Sequence, residues 1–199
     1  MPIACVLFLR SWTCPSTLTQ AAKHAYYRQL SPIMNQHPHK NTRQFGLFAV
    51  VALSVLTLSQ AIGYWVNETI PLHSSIEINP FLFFTHVRNH GGVFGLLQGQ
   101  GWVFGLFSAV LLGGVAAYLR FGEALARAEY LCFGLIVGGG ASNVLDRLIY
   151  GSVIDFIDVQ GIPYWHYVFN TADVMIHLGI WPMLAIGLWQ ARGAKPETP

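Results

Sequence analysis

Four stretches of this chain stay apolar for about as long as a bilayer is thick, which restricts its architecture more than any single motif. They run from about Phe45 to Val66, Trp102 to Leu119, Tyr130 to Ile149 and Val174 to Trp189. A helix needs about 20 predominantly apolar residues to cross the hydrocarbon core. Pro182 lies inside the fourth stretch, which a membrane helix tolerates when neighbours satisfy the freed carbonyl. Composition agrees: 53% of residues are hydrophobic and only 10% charged, against about 25% charged in an ordinary soluble domain. The expected fold is membrane all-α, with four transmembrane helices and a small extracytoplasmic β element.

Four crossings put both termini on one side, and the positive-inside rule makes that side the cytoplasm. Arg10, Lys23, Arg28, Lys40 and Arg43 precede the first span, Arg120 and Arg127 lie between the second and third, and Arg192 and Lys195 follow the fourth. These are nine of the 11 basic residues. Arg88 and Arg147 are left on the outer side and need a reason for being there. The net charge of +2, with no basic cluster interleaved with aromatics, does not suggest nucleic acid. Cys5, Cys14 and Cys132 show no paired spacing, so neither a disulfide framework nor a zinc site is indicated.

Three regions are expected along the chain: an N-terminal tail over 1–44, a four-helix domain over 45–190 and a cytoplasmic tail over 191–199. The apolar stretch Ile3 to Leu9 is too short to span and has no basic residue before it, so it does not read as a signal peptide. Met34 is a candidate true start.

The outer surface carries the unusual residues. In the loop Asn67 to Gly101, the portion Phe81 to Arg88 is rich in Phe, Thr and Val, which favours extended structure. Gly91, Gly92, Gly95, Gly99 and Gly101 follow, read as close backbone approach or as turns. The third span ends in GGGASNVLDRLIYG, where Asn143, Asp146 and Arg147 at i, i+3 and i+4 are expected on one helical face. Polar groups at that depth are costly and usually face a bundle interior or a cavity, although an interaction of Arg147 with Asp146 or Asn143 that anchors a helix end explains them too. Gly134 and Gly138 in the same span read as close helix packing, with dimerisation as the other option.

Asp155 and Asp158 follow in an alternating, extended-looking stretch, and FNTADV then places Asn170 and Asp173 at the start of the fourth span. Either of the latter two also reads as a helix cap, a reading that weakens for Asp173 once Asp155 is set beside it. Topology adds a constraint. Asp155 follows a helix that exits on the outer face, and Asp173 begins the helix that re-enters from it, with 17 residues between them. Two carboxylates close together at a low-dielectric edge cannot both ionise cheaply, so one keeps a proton while the other loses it. That division suits acid–base hydrolysis of a peptide bond without a metal.

The ordered blocks VRNHGGVFGLL, GGGASNVLDRLIYGSVIDFIDV and FNTAD resemble the motifs of the lipoprotein signal peptidase (signal peptidase II) family, and the similarity covers roughly residues 45 to 190. The resemblance implies an inner-membrane aspartic endopeptidase with Asp155 and Asp173 as catalytic residues and Asn89, Asn143, Arg147 and Asn170 lining the substrate site. It implies as substrate a bacterial prolipoprotein with a diacylglyceryl group on its cysteine, cut on the amino side of that cysteine. No cofactor is implied, membrane lipid is the surrounding partner, and a monomer is expected. One departure stands out: the family's first helix usually carries an Asp-Gln pair and then a Lys, whereas LSQAIGY places Ser59, Gln60 and Gly63 there. A divergent paralogue with narrowed or lost activity is therefore an alternative.

Other chemistries fit less well. His73, His86, His90 and His166 fall on the expected outer face, but their spacing matches no metal motif and HExxH is absent. No Lys lies outside to act as base for a Ser nucleophile. Neither Asp155 nor Asp173 sits in a Gly-x-Gly-Asp pattern. A proton-relaying transporter or assembly protein predicts carboxylates near the bilayer midplane, whereas these flank helix ends.

Overall fold

Continuous apolar sequence leaves the backbone no solvent partner in a bilayer, so each run closes its own hydrogen bonds as a helix. The computed structural model describes residues 42–92, 98–123 and 125–193. In it four helices, α1 (Thr42–Thr69), α2 (Gly101–Phe121), α3 (Arg127–Tyr150) and α4 (Thr171–Gly193), are long and apolar enough to cross a membrane. The expected tail over 1–44 and the candidate start Met34 lie almost wholly outside the described residues. Helix α4 runs three residues into the stretch expected as a C-terminal tail.

Helix α3 is central, and glycines set how closely its neighbours approach. A Cβ on Gly138 would lie 2.5 Å from the Ala52 carbonyl oxygen of α1, and one on Gly139 would lie 2.5 Å from the Ala172 carbonyl oxygen of α4. Gly134 likewise faces Val51 and Phe48 of α1. The glycine stripe is thus used within the chain. Helix α2 approaches α3 through Gly105, which meets the Arg147 side chain.

The expected small β element is present and has four strands. An antiparallel sheet of order β1-β2-β3-β4 comprises β1 (Ser75–Asn79), β2 (Leu82–Asn89), β3 (Val153–Val159) and β4 (Val168–Phe169). Strands β2 and β3 are the ones legible as Phe/Thr/Val-rich and alternating sequence. The sheet belongs to the end of the bundle where α1 and α3 finish and α2 and α4 start. Val66 and Ile70 from the end of α1 pack with Ile154 and Phe156 of β3 in a core that is at most 2% exposed. Arg88, unexplained by charge distribution alone, donates to the Asn67 side chain and stacks 4.7 Å over the Tyr150 ring. It ties the ends of α1 and α3 to β2.

Candidate active site

Strand β3 alternates its side chains between two faces, and its buried first half holds both Ile154, in the core, and Asp155, which is 3% exposed. Three residues further on, Asp158 accepts from Thr85 Oγ1 at 2.9 Å and from Gln160 Nε2 at 2.7 Å. It belongs to the sheet rather than to the site.

The start of α4 supplies the second carboxylate. Asn170 and Asp173 form a reciprocal cap: the Asp173 amide donates to Asn170 Oδ1 at 3.0 Å, and the Asn170 amide donates to Asp173 Oδ2 at 3.3 Å. This is the geometry of a capping box, with Asn at the cap and Asp three residues on. The cap reading and the site reading therefore describe one arrangement. With its oxygen engaged, the Asn170 amide nitrogen is aimed elsewhere. It donates to Asp155 Oδ1 at 2.8 Å and to Asn143 Oδ1 at 3.1 Å. Asn143 Nδ2 in turn donates to Asp173 Oδ1 at 2.9 Å. Asn89, at the end of β2, donates to Asp155 Oδ2 at 3.2 Å. Asp155 and Asp173 are thus joined through a single asparagine, and among the described residues the donors to their carboxylates are amides.

Burial raises the Asp155 carboxyl from its ordinary range to about 7, and the neighbouring charge of Asp173 adds to the rise. The hydrogen bonds from Asn170 and Asn89 and the charge of Arg147 pull the other way. Near neutral pH Asp155 is poised to gain or lose a proton, as an acid–base group must be.

Arg147 donates from Nη1 to the Asn143 carbonyl at 3.1 Å and from Nη2 to the Gly91 carbonyl at 2.7 Å. Its Nε has no partner among the described residues. This guanidinium links α3 to the glycine loop after β2, which gives the cation at this end of the bundle a structural role.

Asp146 corrects the sequence expectation. Helical spacing puts it on one face with Asn143 and Arg147, but its side chain meets α1, where Gln60 Nε2 donates to Asp146 Oδ1 at 2.7 Å. Successive helix residues are rotated by about 100°, so Asp146 and Arg147 diverge to either side of Asn143. Gln60 and Ser142 are polar residues at this end that sequence reasoning did not single out as partners. The remaining site residues, Asn89, Asn143, Arg147 and Asn170, converge on the carboxylates or on the loop beside them. His86 is buried in β2 with Nδ1 2.7 Å from the Ile70 carbonyl. No group of three His, Cys, Asp or Glu among the described residues is arranged to hold a metal.

A family model described as Signal peptidase (SPase) II matches residues 51–189. A lipoprotein signal peptidase of Aeromonas hydrophila is 33% identical over 175 residues, 83% of this chain and 100% of that one. One of Shewanella baltica is 36% identical over 153 residues, 74% of this chain and 87% of that one. One of Symbiobacterium thermophilum is 33% identical over 135 residues, covering 67% and 89%. Among solved structures, a bacterial membrane enzyme determined by the in meso method superposes with a TM-score of 0.70 at 25% identity, over 77% of this chain and 94% of that one. A second, also determined in meso, gives 0.63 at 27% identity, covering 72% and 92%.

Proposed function

Because this chain belongs to the signal peptidase II family of membrane proteases, we propose that it removes signal peptides from bacterial prolipoproteins by aspartic catalysis, with Asp155 and Asp173 moving the protons. The substrate is a prolipoprotein bearing a diacylglyceryl-modified cysteine, and the cut falls on the amino side of that cysteine. The observation that carries this reading is the Asn170 bridge, which holds two carboxylates in one buried network.

In the reaction the pair shares one proton. The ionised carboxylate takes a proton from water as the water oxygen attacks the scissile carbonyl carbon, and the protonated carboxyl donates to the carbonyl oxygen. The resulting tetrahedral diol collapses as the C–N bond breaks: the carboxyl that received the water proton delivers it to the leaving nitrogen, and the other carboxylate takes a proton back from a diol hydroxyl, which restores the starting state. Asn89, Asn143 and Asn170 hold the carboxylates as they exchange charge, and Arg147 braces the Gly91 loop beside the substrate and lends its positive charge to the pair. No cofactor or metal takes part.

Cleavage at this end suits a substrate that stays in the bilayer through its acyl chains. Large apolar side chains of α2, including Trp102, Leu106, Phe107 and Val110, are exposed, on the helix that meets Arg147 through Gly105, and offer an apolar surface to acyl chains. With both termini in the cytoplasm, the site faces the outer side of the inner membrane.

The test is cleavage of a diacylglyceryl-modified prolipoprotein by the purified protein in detergent. Asp155→Asn and Asp173→Asn are each expected to lower kcat by about 10³-fold, and the pH–rate profile of the unsubstituted protein should show a limb near 7. Wild-type rates in either variant would remove the dyad, and inhibition by a chelator would point to a metal enzyme instead.

A further inference from the structure

The first half of β3 has a strand on one side only. Strand β2 pairs with both halves of β3, with a register shift between Phe84 and Val87 opposite Phe156, whereas β4 reaches just Ile157 and Asp158. The backbone carrying Asp155 therefore needs another hold on its open side. It finds one at the preceding residue, where the Ile154 amide donates to Asp146 Oδ2 at 3.2 Å. The other oxygen of the same carboxylate accepts from Gln60 Nε2 at 2.7 Å. A single carboxylate thus links α1 to the first residues of β3.

Gln60 is tightly specified by acceptors. Besides Asp146 Oδ1, its amide nitrogen lies 3.0 Å from Ser142 Oγ and 3.2 Å from the Ser142 carbonyl oxygen. All three acceptors are on α3, one turn apart. Asp146 is 6% exposed, and no Lys or Arg among the described residues makes an ion pair with it. A buried carboxylate with a lost donor costs far more than an exposed one, so the Gln60 amide fixes where the carboxylate sits and, through it, where β3 begins.

The departure from the family pattern falls at the same place. Ser59 is buried beside Gln60, and the missing side chain of Gly63 opens toward Ile154, whose Cδ1 would lie 3.9 Å from a Cβ there. Position 63, where the family usually has a Lys, thus lies against the side chain of Ile154, whose amide Asp146 holds. In this chain Asp146 is held by a neutral donor.

We propose that Gln60 is a positioning residue for Asp155, acting through Asp146 and the Ile154 amide to fix the start of β3. It touches no reacting atom, and its importance rests on the proposed peptidase function. Its effect on the backbone does not.

The experiment uses the full chain in detergent, with Gln60→Met, which keeps the length but removes the donor, and Gln60→Glu. Two readouts are taken: cleavage of the diacylglyceryl-modified prolipoprotein across pH, and amide hydrogen exchange of the segment containing Ile154 and Asp155. For Gln60→Met, kcat should fall by about tenfold or more, because small misplacements of a reacting group carry large rate costs. KM should stay within about twofold, the limb near 7 should move, and the Ile154 amide should exchange about tenfold faster while the helices stay protected. Gln60→Glu should acquire a new pH dependence, since the protonated acid donates to Asp146 as the amide does and the ionised acid repels it. Unchanged exchange at Ile154 in both variants overturns the proposal, whatever happens to the rate. So does a loss of thermal stability spread evenly over the helices with kcat and pH profile intact. If the wild type cuts nothing, the peptidase reading fails on its own, and the exchange data still decide whether Gln60 holds β3.

Discussion

The two halves of α3 are held by opposite means. From Gly134 to Gly139 the helix meets α1 and α4 by shape, with backbone oxygens of Ala52 and Ala172 where any side chain would have to go. From Ser142 to Arg147 it meets them by directed polar contacts, to Gln60, Asp173, Asn170 and the Gly91 carbonyl. In lipid there is no hydrophobic gain from helix association, so close packing and hydrogen bonds must supply the adhesion. One helix divides the two tasks along its length. The packed half fixes the neighbours, and the polar half spends that rigidity on holding charges where they are unstable.

If the division holds, substitutions in the polar half should change protonation and rate, and those in the packed half should change folding. The largest stability effect concerns Asp155. Its folded value of about 7 exceeds its ordinary 3.8, so the folded state keeps a proton that the unfolded state has lost. Stability contributed by this group therefore falls as pH rises from 3.8 to about 7, and the loss is complete above that. Thermal unfolding of Asp155→Asn against wild type should show the variant gaining by up to about 4 kcal/mol across that window. A gap that does not grow with pH breaks the assignment of strain to the polar end.

Next in size, Gly138→Val should destabilise by about 3 kcal/mol by overpacking, read as loss of folded monomer in detergent. Any enzyme that survives should keep its pH profile. Asn170→Ala removes both the cap and the bridge. A cap alone is worth about 1 kcal/mol, so a modest fall in Tm with a kcat loss of about tenfold or more, measured on the folded fraction, would separate the two roles. The smallest effect is expected for Asp158→Asn, whose partners are Thr85 and Gln160: kcat should change by less than about twofold, although it stands three residues from Asp155 in the same strand.

Much of this was legible before any coordinates. Apolar length gave the four helices, because the bilayer sets that length independently of packing. The convergence of Asp155 and Asp173 followed from two helix ends being on one side, and Asn143 and Arg147 followed from helical spacing. Other features depend on which way a side chain turns. Asp146 and Arg147 are adjacent in sequence yet reach different helices, and only the positions of α1 and of the Gly91 carbonyl decide which goes where. Gln60 looked like one polar residue in an apolar span, because its partners are far away in sequence. Strands β1 and β4 were missed since short edge strands take their conformation from the neighbour they pair with.

The reciprocal cap at the start of α4 has a consequence for the birth of the protein. Asp173 and the bridging Asn170 are both contributed by the last helix, and their mutual bonds exist only once its first turn has wound. A nascent chain with three helices made already carries Asp155 and Asn143 but has no partner carboxylate to share a proton with. If the proposed pair is the catalytic one, a chain that stops short of Asn170 holds one of its two carboxylates and none of the bridge, and winding the first turn of α4 completes both.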